Sequence, residues 1–451
     1  MEKQSRNISR YLPQIISFKG RYIPVLWKFW LSHSVAIIWV LISIVISIPW
    51  VIELGGLVTL PVAILIITGI AYIPGYLNAF LVVSLLFDRQ PKFKIMHPKE
   101  SVSILIACKN EEDGIVDTLK QIAKQDYQGK IHVYVIDNNS TDRTGEVARQ
   151  LGVELGLNLT VLSEKRPGKN FALNTGLRHV KTKHVITLDA DTLLHPQGIR
   201  RLVARMASSP NNVCAIAGAV LVRNSRDGWL ARIQEWDYFL GIASIKRLQG
   251  LYQGTLVAQG AYSLYLTDVI REVGGWPDAI GEDIVLTWAF LENNYKVYFE
   301  PSAVAFTDVP TDLKHFARQR SRWARGMLEA LKRVKPWQQP MIFTRYLTGS
   351  NLVMPYLDVV YTFVWIPGLI LSFFGFFWIV GPHTLFVLPL TLLTNYILFR
   401  YQKKVFKTLN LRIRKNRFGF ILYVLCYQLI MAPISVWGYI QELMHLRRVW
   451  K

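Results

Sequence analysis

The sequence predicts an α/β domain, a doubly wound and mostly parallel sheet, inserted between N-terminal and C-terminal transmembrane helices. Apolar stretches of membrane length sit only toward the two ends, at residues 35–54 and 57–87, and again at 351–380, 385–399 and 418–444. Between them, buried-strand runs at 102–107, 131–136 and 184–188 alternate with helical stretches at 112–125, 144–151 and 168–180. Each run ends in polar residues: Lys109-Asn110-Glu111, then Asp137-Asn138-Asn139-Ser140, then Asp189-Ala190-Asp191. Ligands of such sheets bind beyond the carboxyl ends of the strands, so these three ends are expected to face one crevice.

Each segment follows from its composition. A chain of 451 residues that is 51% hydrophobic has room for one soluble domain and several spans. Residues 1–34 form a basic arm with Lys3, Arg6, Arg10, Lys19, Arg21 and Lys28. No small-residue cleavage site closes the first apolar run, so the arm is expected to stay attached rather than leave as a signal peptide. Two transmembrane helices fill 35–90, the soluble domain fills 97–312, and interfacial amphipathic helices fill 313–345. Residues 346–451 hold about three transmembrane or re-entrant segments. The net charge of +21 lies mostly beside apolar segments, as expected for a partner that is a lipid bilayer and not a nucleic acid. A basic loop with Lys403, Lys404, Lys407, Arg412, Arg414, Lys415 and Arg417 pairs with the arm to put both, and the soluble domain, on the cytoplasmic side of a multi-pass cell-membrane protein. Five spans then leave Arg447, Arg448 and Lys451 outside, unless Pro433 breaks the last segment into a re-entrant hairpin. Cys108, Cys214 and Cys426 show neither metal-ligand nor CxxC spacing, which argues against a disulfide framework or a structural zinc site.

Several motifs occur in a fixed order: Ser103 to Glu112, Val135 to Asp142, Lys165 to Asn170, Leu188 to Thr192, Gly281-Glu282-Asp283 and Gln319-Arg320-Ser321-Arg322-Trp323. In that order, and with membrane segments on both flanks, the chain resembles the processive family 2 membrane glycosyltransferases. That group holds the cellulose, hyaluronan, chitin-oligosaccharide and poly-N-acetylglucosamine synthases. The resemblance implies a GT-A-like domain and an inverting transfer from a UDP-sugar, with UDP-N-acetylglucosamine as best guess, to a growing β-linked polysaccharide. It also implies coupling of elongation to passage across the membrane, and a small accessory membrane subunit is compatible with it. Two alternatives stay open: transfer of a single sugar to a lipid-linked acceptor, and a catalytically inactive scaffold that binds nucleotide-sugar.

Residue chemistry gives the candidates their roles. Asn110, Glu111 and Asp137 stand at strand ends for the nucleotide, where Asp137 can accept from a uracil N–H or simply fold an Asx-turn. Lys169 suits base or phosphate. Asp189 and Asp191, two apart, can reach one crevice, with Asp191 the metal ligand and Asp189 facing diphosphate or sugar; hard oxygens favour Mg2+ or Mn2+. The resemblance implies that Asp283 is the catalytic base, although an acid there also suits a helix N-terminus. Glu282 would orient the acceptor. Gln319, Arg320, Arg322 and Trp323 form an expected clamp, guanidinium forks on the diphosphate and the indole face on a sugar ring.

Overall fold

The computed structural model describes residues 23–381 and 388–446. Lys3, Arg6, Arg10, Lys19, Arg21, the first residues of the 385–399 stretch, Arg447, Arg448 and Lys451 lie outside them. Among the described residues one sheet has eight strands: β1 (Val102–Cys108), β2 (Ile131–Asp137), β3 (Leu159–Ser163), β4 (His184–Asp189), β5 (Leu193–Leu194), β6 (Val213–Val222), β7 (Tyr262–Leu266) and β8 (Lys296–Thr307). Their order is β3-β2-β1-β4-β7-β6-β8-β5. The first four are parallel, as expected of a doubly wound half. Strand β7 then runs antiparallel to both β4 and β6, β8 is parallel to β6, and β5 is antiparallel to β8. The sheet is therefore mixed, and its second half is where the crevice gains a far wall.

Strand periodicity sorts side chains onto two faces. Ile104, Ile106, Val133 and Val135 pack on one side with helices Gly114–Ala123 and Gly198–Ala207. Leu105, Ile136 and Val185 join the opposite core, which continues without a break into Phe29, Phe80 and Leu398. One face of the sheet domain thus shares its core with the apolar helices.

Among the described residues four helices are long and apolar enough to cross a membrane: Val25–Leu57, Leu60–Leu86, Ile342–Ser372 and Arg417–Leu443. The first begins upstream of the apolar run because Trp27, Phe29 and Trp30 continue the helix at what would be the headgroup level. Helix Leu388–Thr408 is not among the four; Arg400, Lys403, Lys404 and Lys407 occupy its second half. Those three lysines, expected in a loop, are therefore helical, as Lys readily is. Pro433 does not make a hairpin: Arg417–Leu443 runs through it as one helix, and neighbouring helices tolerate the missing N–H. The loop before that helix is fastened to the sheet domain, where Trp236 Nε1 donates to Asn416 O at 2.8 Å and Asn416 Nδ2 to Arg232 O at 2.9 Å.

Candidate active site

The ends of β1 and β2 are knitted by short polar side chains. Asn110 adopts a left-handed φ of 54°, which Asn tolerates, and its Oδ1 accepts from Thr141 N at 2.8 Å. Glu111 N donates to Thr144 Oγ1 at 2.9 Å. Asp137 Oδ1 accepts from Ser140 N at 3.0 Å, closing a local turn at the strand end. Its Oδ2 lies where a Cβ on Gly145 would come within 3.4 Å, at the start of helix Thr144–Glu154. Buried Asn138 then seizes the next loop: its Nδ2 donates to Glu164 O and Arg166 O, and its Oδ1 accepts from Gly168 N at 2.8 Å. That clamp sets the start of helix Lys169–His179, and with it Lys169. Burial raises the pKa of the Cys108 thiol, and Glu111, Asp137, Asp189 and Asp142 add to the rise. Four carboxylates therefore converge on the end of β1.

Lys169 Nζ reaches Asp189 Oδ1 at 2.5 Å. Burial works against this ammonium, yet Asp189, Glu282 and Asp283 hold its pKa above the ordinary lysine value. The turn after β4 is held from below, with Thr118 Oγ1 donating to Ala190 O at 2.7 Å, and Asp191 Oδ1 accepts from Thr192 and Thr307 hydroxyls at 3.3 and 3.4 Å. Helix Glu282–Glu292 presents the two acids at its first turn. Glu282 is pushed up to about 7, chiefly by burial and then by Asp283, with Lys169 and Arg322 opposing. Asp283 Oδ2 accepts from Gly260 N at 3.2 Å and its Oδ1 from Ile284 N at 2.8 Å. A Cβ on Gly260 would come 2.8 Å from Lys169 Nζ and 3.7 Å from Glu282 Oε1, so this glycine lets backbone, lysine and acid share one corner.

The Gln319–Trp323 motif lies on helix Leu313–Arg333, whose first turn is capped by Asp312 accepting from His315 N. This helix meets helix Glu282–Glu292 backbone to backbone: a Cβ on Gly326 would fall 2.9 Å from Gly281 Cα. Trp323 is 42% exposed and Arg320 only 2%. Arg320 is thus set apart from the expected clamp: its Nη2 donates to buried Asp237 at 3.0 Å, and its guanidinium lies 4.0 Å from the Trp323 ring centroid. Tyr427 OH from the last apolar helix donates to the same Asp237 oxygen at 2.7 Å. Residues three apart are neighbours on a helix surface, so the Arg320 guanidinium can lie under the Trp323 ring. Gln319 Oε1 is out of solvent with no hydrogen-bond partner among the described residues, while Arg322 acts on Glu282. Tyr238 completes the ring. Burial raises its pKa to about 12; Arg320 opposes and Asp237, Asp191 and Asp189 add to the rise, which links the aspartates after β4 to the motif helix.

Sequence reasoning names Asn138 and Gly281 only as members of motifs, and it does not reach Lys246, Asp237 or Gly326. A glycine inside an otherwise good helix, as Gly326 is, is the available signal of close approach.

A sheet of this order with acidic residues at its strand ends and an arginine-tryptophan helix across from them defines a nucleotide-sugar transferase fold of the GT-A type. The chain belongs to the glycosyltransferase-like family 2, whose model matches residues 98–326, just over half of it. It is 30% identical over 270 residues to a poly-beta-1,6-N-acetyl-D-glucosamine synthase of Staphylococcus epidermidis, a match spanning 59% of this chain and 65% of that one. A synthase of the same name from Staphylococcus aureus is 32% identical over 235 residues, 52% of this chain and 56% of its own length. The match thus spans less than two thirds of either relative. In fold, the chain is similar to a mannosyltransferase from Pyrobaculum calidifontis solved with GDP-Man and Mn2+, at a TM-score of 0.57 and 19% identity, covering 85% of this chain and 99% of the other.

Proposed function

We propose that this chain is an inverting membrane glycosyltransferase that moves sugar from a UDP-sugar, best taken as UDP-N-acetylglucosamine, onto a growing β-linked polysaccharide. The reaction would run on the cytoplasmic side, with elongation coupled to passage of the product through the membrane helices. The observation that carries this reading is a single corner: Lys169 on Asp189, Glu282 and Asp283 beside them, and Gly281 against Gly326 on the motif helix. The relatives named as poly-N-acetylglucosamine synthases support the donor and product class.

In this reading Asn110, Glu111 and Asp137 receive the uridine, and Lys169 and Asp189 the diphosphate and sugar. Asp283 takes the proton of the attacking hydroxyl. Its two oxygens are oriented by the Gly260 and Ile284 amides, and each keeps a lone pair for that proton. Glu282, Gln319, Arg322 and the open face of Trp323 hold acceptor and diphosphate, and Arg320 supports Trp323 from beneath. A divalent cation belongs to this reading, as the mannosyltransferase with Mn2+ suggests. Asp191, with Asp189, would hold it through hard oxygens. The remaining positions of such an ion would go to diphosphate oxygens. When bound, such an ion offsets charge on the departing diphosphate.

The test is purified protein in detergent given radiolabelled UDP-sugars one at a time, with products sized. Long polymer from UDP-N-acetylglucosamine is the expected result. A single-sugar lipid product would remove processivity, and no product from any donor would remove the enzyme reading.

A further inference from the structure

A lysine lies buried behind the acid pair and has no role in the chemistry proposed for the site. Lys246, on helix Ala243–Leu251, is 8% exposed. Its Nζ donates to Val257 O at 3.1 Å and to Gln259 Oε1. The amide of Gln259 is fixed in that sense, because its Nε2 donates to Gly218 O at 2.8 Å and only the oxygen is left to face the lysine. The two contacts grip the loop that ends in Gly260, the residue whose N–H meets Asp283 Oδ2. Between the grip points, Ala258 is tied as well: its O accepts from Tyr265 OH at 2.6 Å and its N–H donates to Thr287 Oγ1 at 3.0 Å.

Burying an ammonium among neutral acceptors is unfavourable unless an opposite charge lies near. Burial pulls Lys246 down to about 7, and Asp283 is the charged group that opposes this. Other charges around the pair are already engaged. Glu282 and Lys169 face Asp283, and Lys169 is held by Asp189. Arg247, the next residue, is paired at 2.6 Å with Asp88, and Glu300 of β8 with Arg205.

We infer that Lys246 is a positioning residue for Asp283: it holds the Val257-to-Gly260 loop that aims an amide at the carboxylate. The inference rests on Asp283 acting as the base. A lysine that merely filled the core would change stability and leave kcat of the folded protein unchanged, whereas a tether that aims the Gly260 amide should lower kcat with UDP binding kept.

The experiment uses the purified full chain and a UDP-sugar that the wild type turns over, with kcat and KM followed and UDP binding measured in parallel. Lys246→Met should lower kcat by roughly ten- to a hundred-fold, with UDP affinity kept. An unchanged kcat in folded Lys246→Met, or a loss of UDP affinity equal to the loss of kcat, overturns the inference. If Lys246→Met does not fold, Gln259→Leu decides: it frees the loop, so kcat should fall with UDP affinity kept, and an unchanged kcat overturns the tether. A wild type that transfers no sugar sinks the glycosyltransferase reading instead; an active wild type with an indifferent Lys246→Met sinks this inference alone.

Discussion

Glu282 carries an electrostatic cost that can be read out as stability. Its pKa is near 7 when folded against 4.5 for an ordinary glutamate, because burial and Asp283 disfavour its charge. A carboxyl raised in this way contributes stability that is fully present below the ordinary value and is lost as pH rises through the folded one. The Glu282→Gln variant cannot ionise and should escape the loss. Thermal unfolding in detergent should therefore give similar midpoints near pH 4.5 and a more stable variant at pH 8, by at most on the order of 3 kcal/mol. A variant no more stable at pH 8 would show that Glu282 is ionised without penalty. Trp323, exposed above a buried guanidinium, is the residue proposed to stack on a sugar. Its replacement by Ala should shorten the products while leaving UDP affinity within about two-fold, since an aromatic contact contributes roughly 0.5–1.5 kcal/mol and lies away from the nucleotide. Product of unchanged length would remove the stacking role.

The elements show why part of the architecture is legible in the chain and part is not. Strands β1, β2 and β4 are buried runs ending in polar residues, so Asn110, Glu111, Asp137, Asp189 and Asp191 can be named as neighbours from the sequence. Strands β6, β7 and β8 are separated by helices such as Trp229–Trp236 and pair in mixed directions, and no periodic pattern in the chain encodes which of them closes the sheet. Lys246 stands beside Arg247 in a short helix and reads as solvated face, because burial of a charge is decided by tertiary packing. Arg320 groups with Arg322 for the same reason: spacing alone does not show that one points to Asp237. Two substitutions probe these contacts. Gly326→Ala forces a methyl against the Gly281 backbone and should cost about 1–3 kcal/mol in stability while lowering transfer more than UDP binding, as measured by denaturation and turnover. Asp237→Leu leaves Arg320 charged and unpaired in the interior, and should cost about 3–5 kcal/mol in the same unfolding assay. Wild-type stability in either variant would contradict the packing described.

Across the whole molecule, the catalytic domain is continuous with the apolar helices. Gly438 of the last helix lies against Ser321 O, Glu442 pairs with Lys332 at 3.0 Å, and Tyr427 reaches Asp237. The helix that carries Trp323 is therefore gripped between the acid pair on one side and a membrane-length helix on the other. In the proposed mechanism donor binding and sugar transfer use different parts of one site, with Asp283 serving only the second. The most direct measurement compares UDP binding and UDP-sugar turnover in wild type and Asp283→Asn on the same membrane-reconstituted preparations. Unchanged UDP affinity is predicted, with transfer reduced by about a hundred- to ten-thousand-fold. Turnover close to wild type in Asp283→Asn would contradict it.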